Sequence, residues 1–200
     1  YHRNKFARIE VTVAGTARGL AKQTCSRNAP RFCGETIMAH PIPFEFEEFH
    51  PDFLVSGEAT IHEGAVPGPG DPIDPTLSTT SIRTDQDWWV HFTWTTSGGM
   101  NYAMGGTWTA RLFLEEMGGG EFSLAAVTNN FTDVAVVAEP HTYDGIAPPE
   151  DTNIRIAANT VPAGLYKVSV SLTMRGLTEV PCPIAAVGEG PLLQLYDVGP

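Results

Sequence analysis

Apolar residues recur at every second position in three stretches of this chain, a period that points to half-buried β-strands. In residues 88–96, Trp88, Val90, Phe92 and Trp94 share one face, and Trp89, His91, Thr93 and Thr95 share the other. Residues 107–115 repeat the pattern, with Trp108, Ala110, Leu112 and Leu114 set against Thr107, Thr109, Arg111 and Phe113. In 166–174, Tyr166, Val168, Val170, Leu172 and Met174 alternate with Lys167, Ser169, Ser171 and Thr173. Such strands bury one face and wet the other, as antiparallel sheets do.

Shorter alternations predict further strands over 7–13, 55–61, 122–127, 133–137, 153–157 and 192–198. Breakers fall between them at Ser97-Gly98-Gly99, Gly118-Gly119-Gly120, Ala147-Pro148-Pro149 and Gly188-Glu189-Gly190. No stretch carries a 3.6-residue period, although 16–22 could form a short helical turn. With 20 Gly and 16 Pro in 200 residues and no repeat among them, the chain suits many short strands joined by turns.

The segment 64–75 reads GAVPGPGDPIDP, too rich in proline to donate to a sheet ladder. It is expected to be a linker or a crossover, 64–76, dividing a β-rich N-terminal extension (1–63) from a sandwich (77–200). The extension has few strands of its own, so it is expected to pack on the sandwich or on a neighbouring subunit. Its alternating segment Phe6, Ile9, Val11 and Val13 is the candidate for strand exchange with another copy, since an unpaired strand can complete a neighbour's sheet.

The sequence Val161-Pro-Ala-Gly-Leu-Tyr166-Lys-Val168 resembles the penultimate strand of immunoglobulin-like sandwiches of the bacterial surface-protein type. The resemblance implies an all-β, antiparallel Greek-key sandwich in which Tyr166 is the corner tyrosine, its hydroxyl bonded back to the chain. Val168 stands where antibody domains carry a cysteine, so the inter-sheet disulfide of those domains is absent.

Twelve basic residues against 23 acidic give a net charge of −11, which argues against a nucleic-acid partner and against anionic membrane surfaces. No apolar run approaches the roughly 20 residues that a membrane helix needs. The first residue is Tyr1 rather than Met; a removed leader would mean export, a trimmed start would not. Cys25 and Cys33 could close a small disulfide loop or remain buried thiols, with Cys182 left over. Asn130-Phe-Thr132 matches the N-glycosylation acceptor pattern. Together these features lead us to expect an extracellular or cell-surface protein.

Candidate chemistry is sparse. His40, Glu45, Glu47, Glu48, His50, Asp52, Glu58 and His62 hold metal-ligand residue types without metal-site spacing. Asp71 with Asp74, and Asp85 with Asp87, sit outside any recognisable calcium loop. Glu115 and Glu116, like Glu47 and Glu48, are adjacent in sequence and so point to opposite faces of a strand, not toward one glycosidic bond. No nucleophile elbow or phosphate loop is present, and His91 reads as a satisfied or surface histidine. No cofactor and no catalytic residue is assigned. Two functional readings follow: a self-associating structural subunit whose partner is itself or another surface protein, or a carbohydrate-binding module. In the second, Trp89, Tyr102 and Phe113 would be the platforms, unless Trp89 and Phe113 are covered by the N-terminal region, which would bury both faces of the sheet.

Overall fold

The computed structural model describes residues 40–47, 50–68, 71, 73, 78–197 and 199. The chain divides into a unit Tyr1–Glu35, which lies outside the described residues, and a unit Thr36–Pro200. Phe6, Ile9, Val11, Val13, Cys25, Cys33 and the helical turn expected at 16–22 all fall outside the described residues.

The second unit is all-β, with two main antiparallel sheets. The first sheet runs in the order β1 (Ile42–Pro43), β3 (Leu54–Glu63), β5 (Trp88–Ser97) and β12 (Asn153–Ile156), with β9 (His141–Tyr143) also on β5. The second runs β2 (Glu45–Phe46), β14 (Pro181–Tyr196), β13 (Gly164–Arg175), β6 (Thr107–Glu116) and β7 (Gly120–Phe122). On it, β4 (Ser81–Arg83) lies parallel to β14, and β8 (Phe131–Ala135) pairs with β6. A small hairpin, β10 (Ile146–Ala147) with β11 (Glu150–Asp151), stands apart.

The three strongly alternating stretches are β5, β6 and β13, and their apolar faces form the core. Trp88, Val90, Phe92 and Trp94 meet Trp108, Ala110, Leu112, Leu114 and the inward row of β13, all buried in one cluster. Trp94 and Trp108 touch edge to face at 6.1 Å across the sheets, and Tyr143 stacks on Trp94 at 4.7 Å. Each such side chain contributes about 1.5–3 kcal/mol by leaving water.

Residues 42–63 are part of this fold rather than an extension. β3 pairs with β5 over ten positions, from Leu54↔Ser97 to Glu63↔Trp88. The strands on either side of the Pro/Gly-rich stretch, β3 and β4, belong to different sheets. Residues 42–46 also straddle the two sheets: β1 pairs with β3, β2 with β14, and buried Phe44 sits between them.

Two local expectations are corrected. Gly188-Glu189-Gly190 does not break a strand but lies within β14, because the glycines leave room for β1. A β-carbon on Gly190 would stand 2.6 Å from Ile42 Cδ1. The strand expected at 122–127 is a β7 end followed by one helical turn, Leu124–Val127, in keeping with the helix preference of Leu-Ala-Ala.

Sheet edges are blunt. The strands β1, β2 and β4 are two or three residues long, and Pro181, Pro183 and Pro191 interrupt the donors of β14. Short edges and edge prolines hinder pairing with a further strand.

Candidate functional site

Alternation along β5 turns Trp89, His91 and Thr93 away from the core, yet the first two are buried. Cross-strand register explains part of this. His62 of β3 and Arg155 of β12 flank Trp89, while Thr60 and Asn153 flank His91. The His62 ring stacks on Trp89 at 4.2 Å and 15°, and the Thr60 hydroxyl lies 2.7 Å from His62 Nε2. Trp89 is left 3% exposed. Trp89 is therefore no open platform: as the alternative reading had it, the cover comes from residues 1–63, through His62 on the neighbouring strand.

His91 is the centre of a polar cluster. The Asn153 amide donates to the Gly145 carbonyl (3.1 Å) and to Asp151 Oδ1 (2.9 Å), so its own oxygen faces His91 Nδ1 at 2.9 Å. On the other side of the ring, Nε2 lies 2.6 Å from Asp144 Oδ1. Both ring nitrogens therefore face acceptor oxygens, and both bonds form when both nitrogens carry hydrogen. The Thr93 hydroxyl, 3.0 Å from Nε2, donates to the same Asp144 oxygen.

Hydroxyl, imidazole and amide in this order resemble a nucleophile–base–orienter set, but the electrostatics work against that use. The Thr93 hydroxyl donates to Asp144 Oδ1, so its hydrogen is directed to the carboxylate and not to the ring nitrogen. His91 is sealed, whereas the Asp144 side chain is mostly exposed, the reverse of a dyad that must offer its imidazole to substrate. The cluster instead pins the arm 141–152 to the sheet. Within that arm His141 Nε2 meets Glu150 Oε2 at 2.8 Å, and Glu150 Oε1 accepts from the Asp144 amide. Gly145 is required there, since a β-carbon would collide with the Glu150 carbonyl. Thr132 on β8 of the second sheet donates to the Asp151 carbonyl at 2.6 Å, tying the arm to both sheets.

The remaining described candidates are dispersed, and Glu48 and Asp74 lie outside the described residues. His40, Glu45, Glu47 and Glu58 are exposed, His50 Nδ1 accepts from the Asp52 amide, and Asp52 accepts from Gly99. Asp71 accepts from the Gly68 amide, Asp85 pairs with Arg83, and Asp87 accepts from Ala158. Among the described residues no three or more His, Cys, Asp or Glu gather to hold a metal ion, and no helix is long and apolar enough to cross a membrane. Asn130 is buried with its amide donating to the Leu112 carbonyl at 3.1 Å. In the folded protein that acceptor nitrogen is therefore committed inside. Cys182 is a half-buried free thiol.

Tyr166 donates to the Pro162 carbonyl at 3.1 Å. Burial pushes its phenol above the ordinary value, with Glu116 acting in the same direction. Burial likewise raises Tyr143, whose oxygen accepts from the Val137 amide at 2.8 Å.

Tyr102 (68% exposed) and Phe113 (38%) are open, but they share no surface with each other or with Trp89. Phe113 lies on the outer face of the second sheet, Trp89 on that of the first, and Tyr102 in the loop between β5 and β6. Three rings on three surfaces cannot stack along one sugar chain.

Two features went unread in the sequence. The hairpin tip between β13 and β14 carries Leu177 (84% exposed) and Val180 (61%). At the start of β5, a cleft of about 400 Å³ opens between Ala65, Val66, Trp88, Ile156 and Ala157, with Asp87, Thr128 and Arg155 around it. Alternation finds strands, and neither a turn tip nor a gap between loops carries that signal. Compared with known proteins, the chain matches no family model and no curated protein sequence.

Proposed function

We propose that this chain is a non-catalytic structural subunit of an extracellular or surface assembly, built on an immunoglobulin-like sandwich that associates with copies of itself. Support for the immunoglobulin-like reading comes from β14, β13 and β6 lying side by side, from β4 running parallel to β14, and from the bond of Tyr166 to Pro162. The extracellular part of the reading draws on the spacing of Cys25 and Cys33, which suits a disulfide loop in an oxidising compartment.

One observation carries the self-association: several large apolar side chains are left open on one sheet face and on loops. Phe113, Phe131, Leu165, Val187 and Leu192 share the outer face of the second sheet, and Tyr102, Leu177 and Val180 stand on loops. On the sheet face they alternate with Arg111, Lys167, Ser169 and Ser171, the mixed apolar and polar make-up of a contact between folded chains. The buried polar cluster, by contrast, is spent on holding an arm. Because the described edges are blunt, the contacts are assigned to faces and tips; the edge exchange expected from Phe6–Val13 lies outside the described residues.

Light scattering of the full-length chain over a concentration series tests this. The mass is expected to rise with concentration, and a monomer at every concentration would refute the reading.

A further inference from the structure

We infer that Asn130 accepts an N-linked glycan only while the chain is unfolded, so that sugar and fold exclude each other. The inference stands apart from self-association.

Asn130-Phe-Thr132 is the one acceptor pattern in the sequence. Such patterns normally lie on surface loops, where a bulky sugar stands in solvent. Here the pattern lies where the chain enters β8, and each of its three residues is tied down. The Asn130 carbonyl accepts from the Leu112 amide at 2.9 Å, and the Asn130 side-chain amide donates to the Leu112 carbonyl at 3.1 Å. Main chain and side chain of Asn130 thus serve both backbone groups of Leu112, carrying the ladder one step beyond the pair Arg111↔Phe131. The Arg111 guanidinium lies over the Phe131 ring, 5.2 Å from its centre. Thr132 donates to the Asp151 carbonyl at 2.6 Å.

Transfer needs both ends of the pattern. The oligosaccharide arrives on a lipid diphosphate: the bond from its first sugar carbon to the diphosphate breaks, a bond from Asn130 Nδ2 to that carbon forms, the diphosphate leaves, and Nδ2 gives up one proton. Nδ2 keeps its other hydrogen, so the bond to Leu112 does not by itself forbid the product. Burial does. Asn130 is 8% exposed, and a sugar ring on its nitrogen has no room unless β8 parts from β6. The transferring enzyme must also reach the hydroxyl that the pattern demands at its third position, and that of Thr132 is engaged with Asp151.

Parting β8 from β6 reaches well beyond the acceptor. Val134 of β8 belongs to the core, and Asp133 accepts from Thr109 of β6 and pairs with Arg175 of β13 at 3.2 Å. Lifting β8 therefore breaks ties to two strands and to the arm 141–152. A state opened at that cost is rarely populated, and a reaction that requires it proceeds in proportion to that population. By the same contacts, a chain that already carries the sugar cannot seat β8.

An oligosaccharyltransferase with its lipid-diphosphate donor is given the full-length parent chain and a full-length unfolded acceptor with the same pattern. The unfolded acceptor carries Val170→Asp and Leu172→Asp, two carboxylates at fully buried positions, and the absence of a melting transition checks its state. Mass spectrometry reads one added glycan, and Asn130→Gln in each background gives the blank. The unfolded acceptor is expected to be modified at least about tenfold faster than the folded parent. Equal rates would overturn the inference, and so would failure of both chains, since the sequence rather than the fold would then close the site. Parent chain made in a glycosylating secretory host tests the converse: molecules that carry the sugar at Asn130 are expected to melt without the parent's cooperative transition. A glycosylated chain that melts like the unmodified one would overturn the exclusion.

Discussion

Gly188 lies directly against the carbonyl of Pro43: a β-carbon at 188 would stand 2.7 Å from that oxygen. The contact seats β1 across the end of the second sheet and closes one side of the sandwich. Because the obstacle is backbone, Gly188→Ala must move β1 and is expected to cost roughly 1–3 kcal/mol. Gly190→Ala meets side chains, Ile42 Cδ1 at 2.6 Å and the Val168 β-carbon at 3.2 Å, with no backbone atom among its nearest contacts, and is expected to cost less. Urea unfolding of the two variants checks the order.

The pin at His91 predicts an asymmetry between its partners. His91→Phe leaves the oxygen of Asn153 buried without its donor and is expected to cost about 1–3 kcal/mol. Asp144→Asn alters a largely exposed group and is expected to cost about 1 kcal/mol or less. In both variants the arm 141–152 is expected to become the first site of limited proteolysis. Equal losses of stability in the two variants would contradict the pin.

Tyr143 and Tyr166 predict sensitivity to alkali. Both phenols titrate above their ordinary value in the folded state, chiefly through burial. Their contribution is whole below the unfolded pKa near 10, and it is lost as pH rises through the folded values, because the unfolded chain gives up those protons first. At neutral pH Tyr166→Phe is expected to lose about 0.5–1.5 kcal/mol with its bond to Pro162. Above about pH 10 the gap to the parent chain should narrow. Unfolding curves at pH 8 and pH 11 measure it, and a gap that widens would contradict the sign.

How far the sequence could be read depended on whether a residue's neighbours were local. β5, β6 and β13 were legible because alternation alone states which side chain faces inward. Trp89 was placed on the correct face, and cover from the N-terminal region was one of its two readings, but His62 could not be named because it arrives from a strand 27 positions earlier. Gly188 and Gly190 read as breakers because a glycine that makes room for another strand looks the same as one that makes a turn. The stretch 64–75 looked like a boundary for a similar reason: proline excludes a strand there without saying whether the chain rejoins the fold. The hairpin 176–180 could be foreseen as a turn, but that its leucine stands open to water depends on neighbours that the local sequence does not name.

Hydrogen exchange of the full-length chain at high and low concentration tests the central claim most directly. Amides beside the open apolar side chains, at 177–180 and 187–192, are expected to gain protection as concentration rises, because self-association covers those surfaces. Protection that does not depend on concentration would contradict self-association.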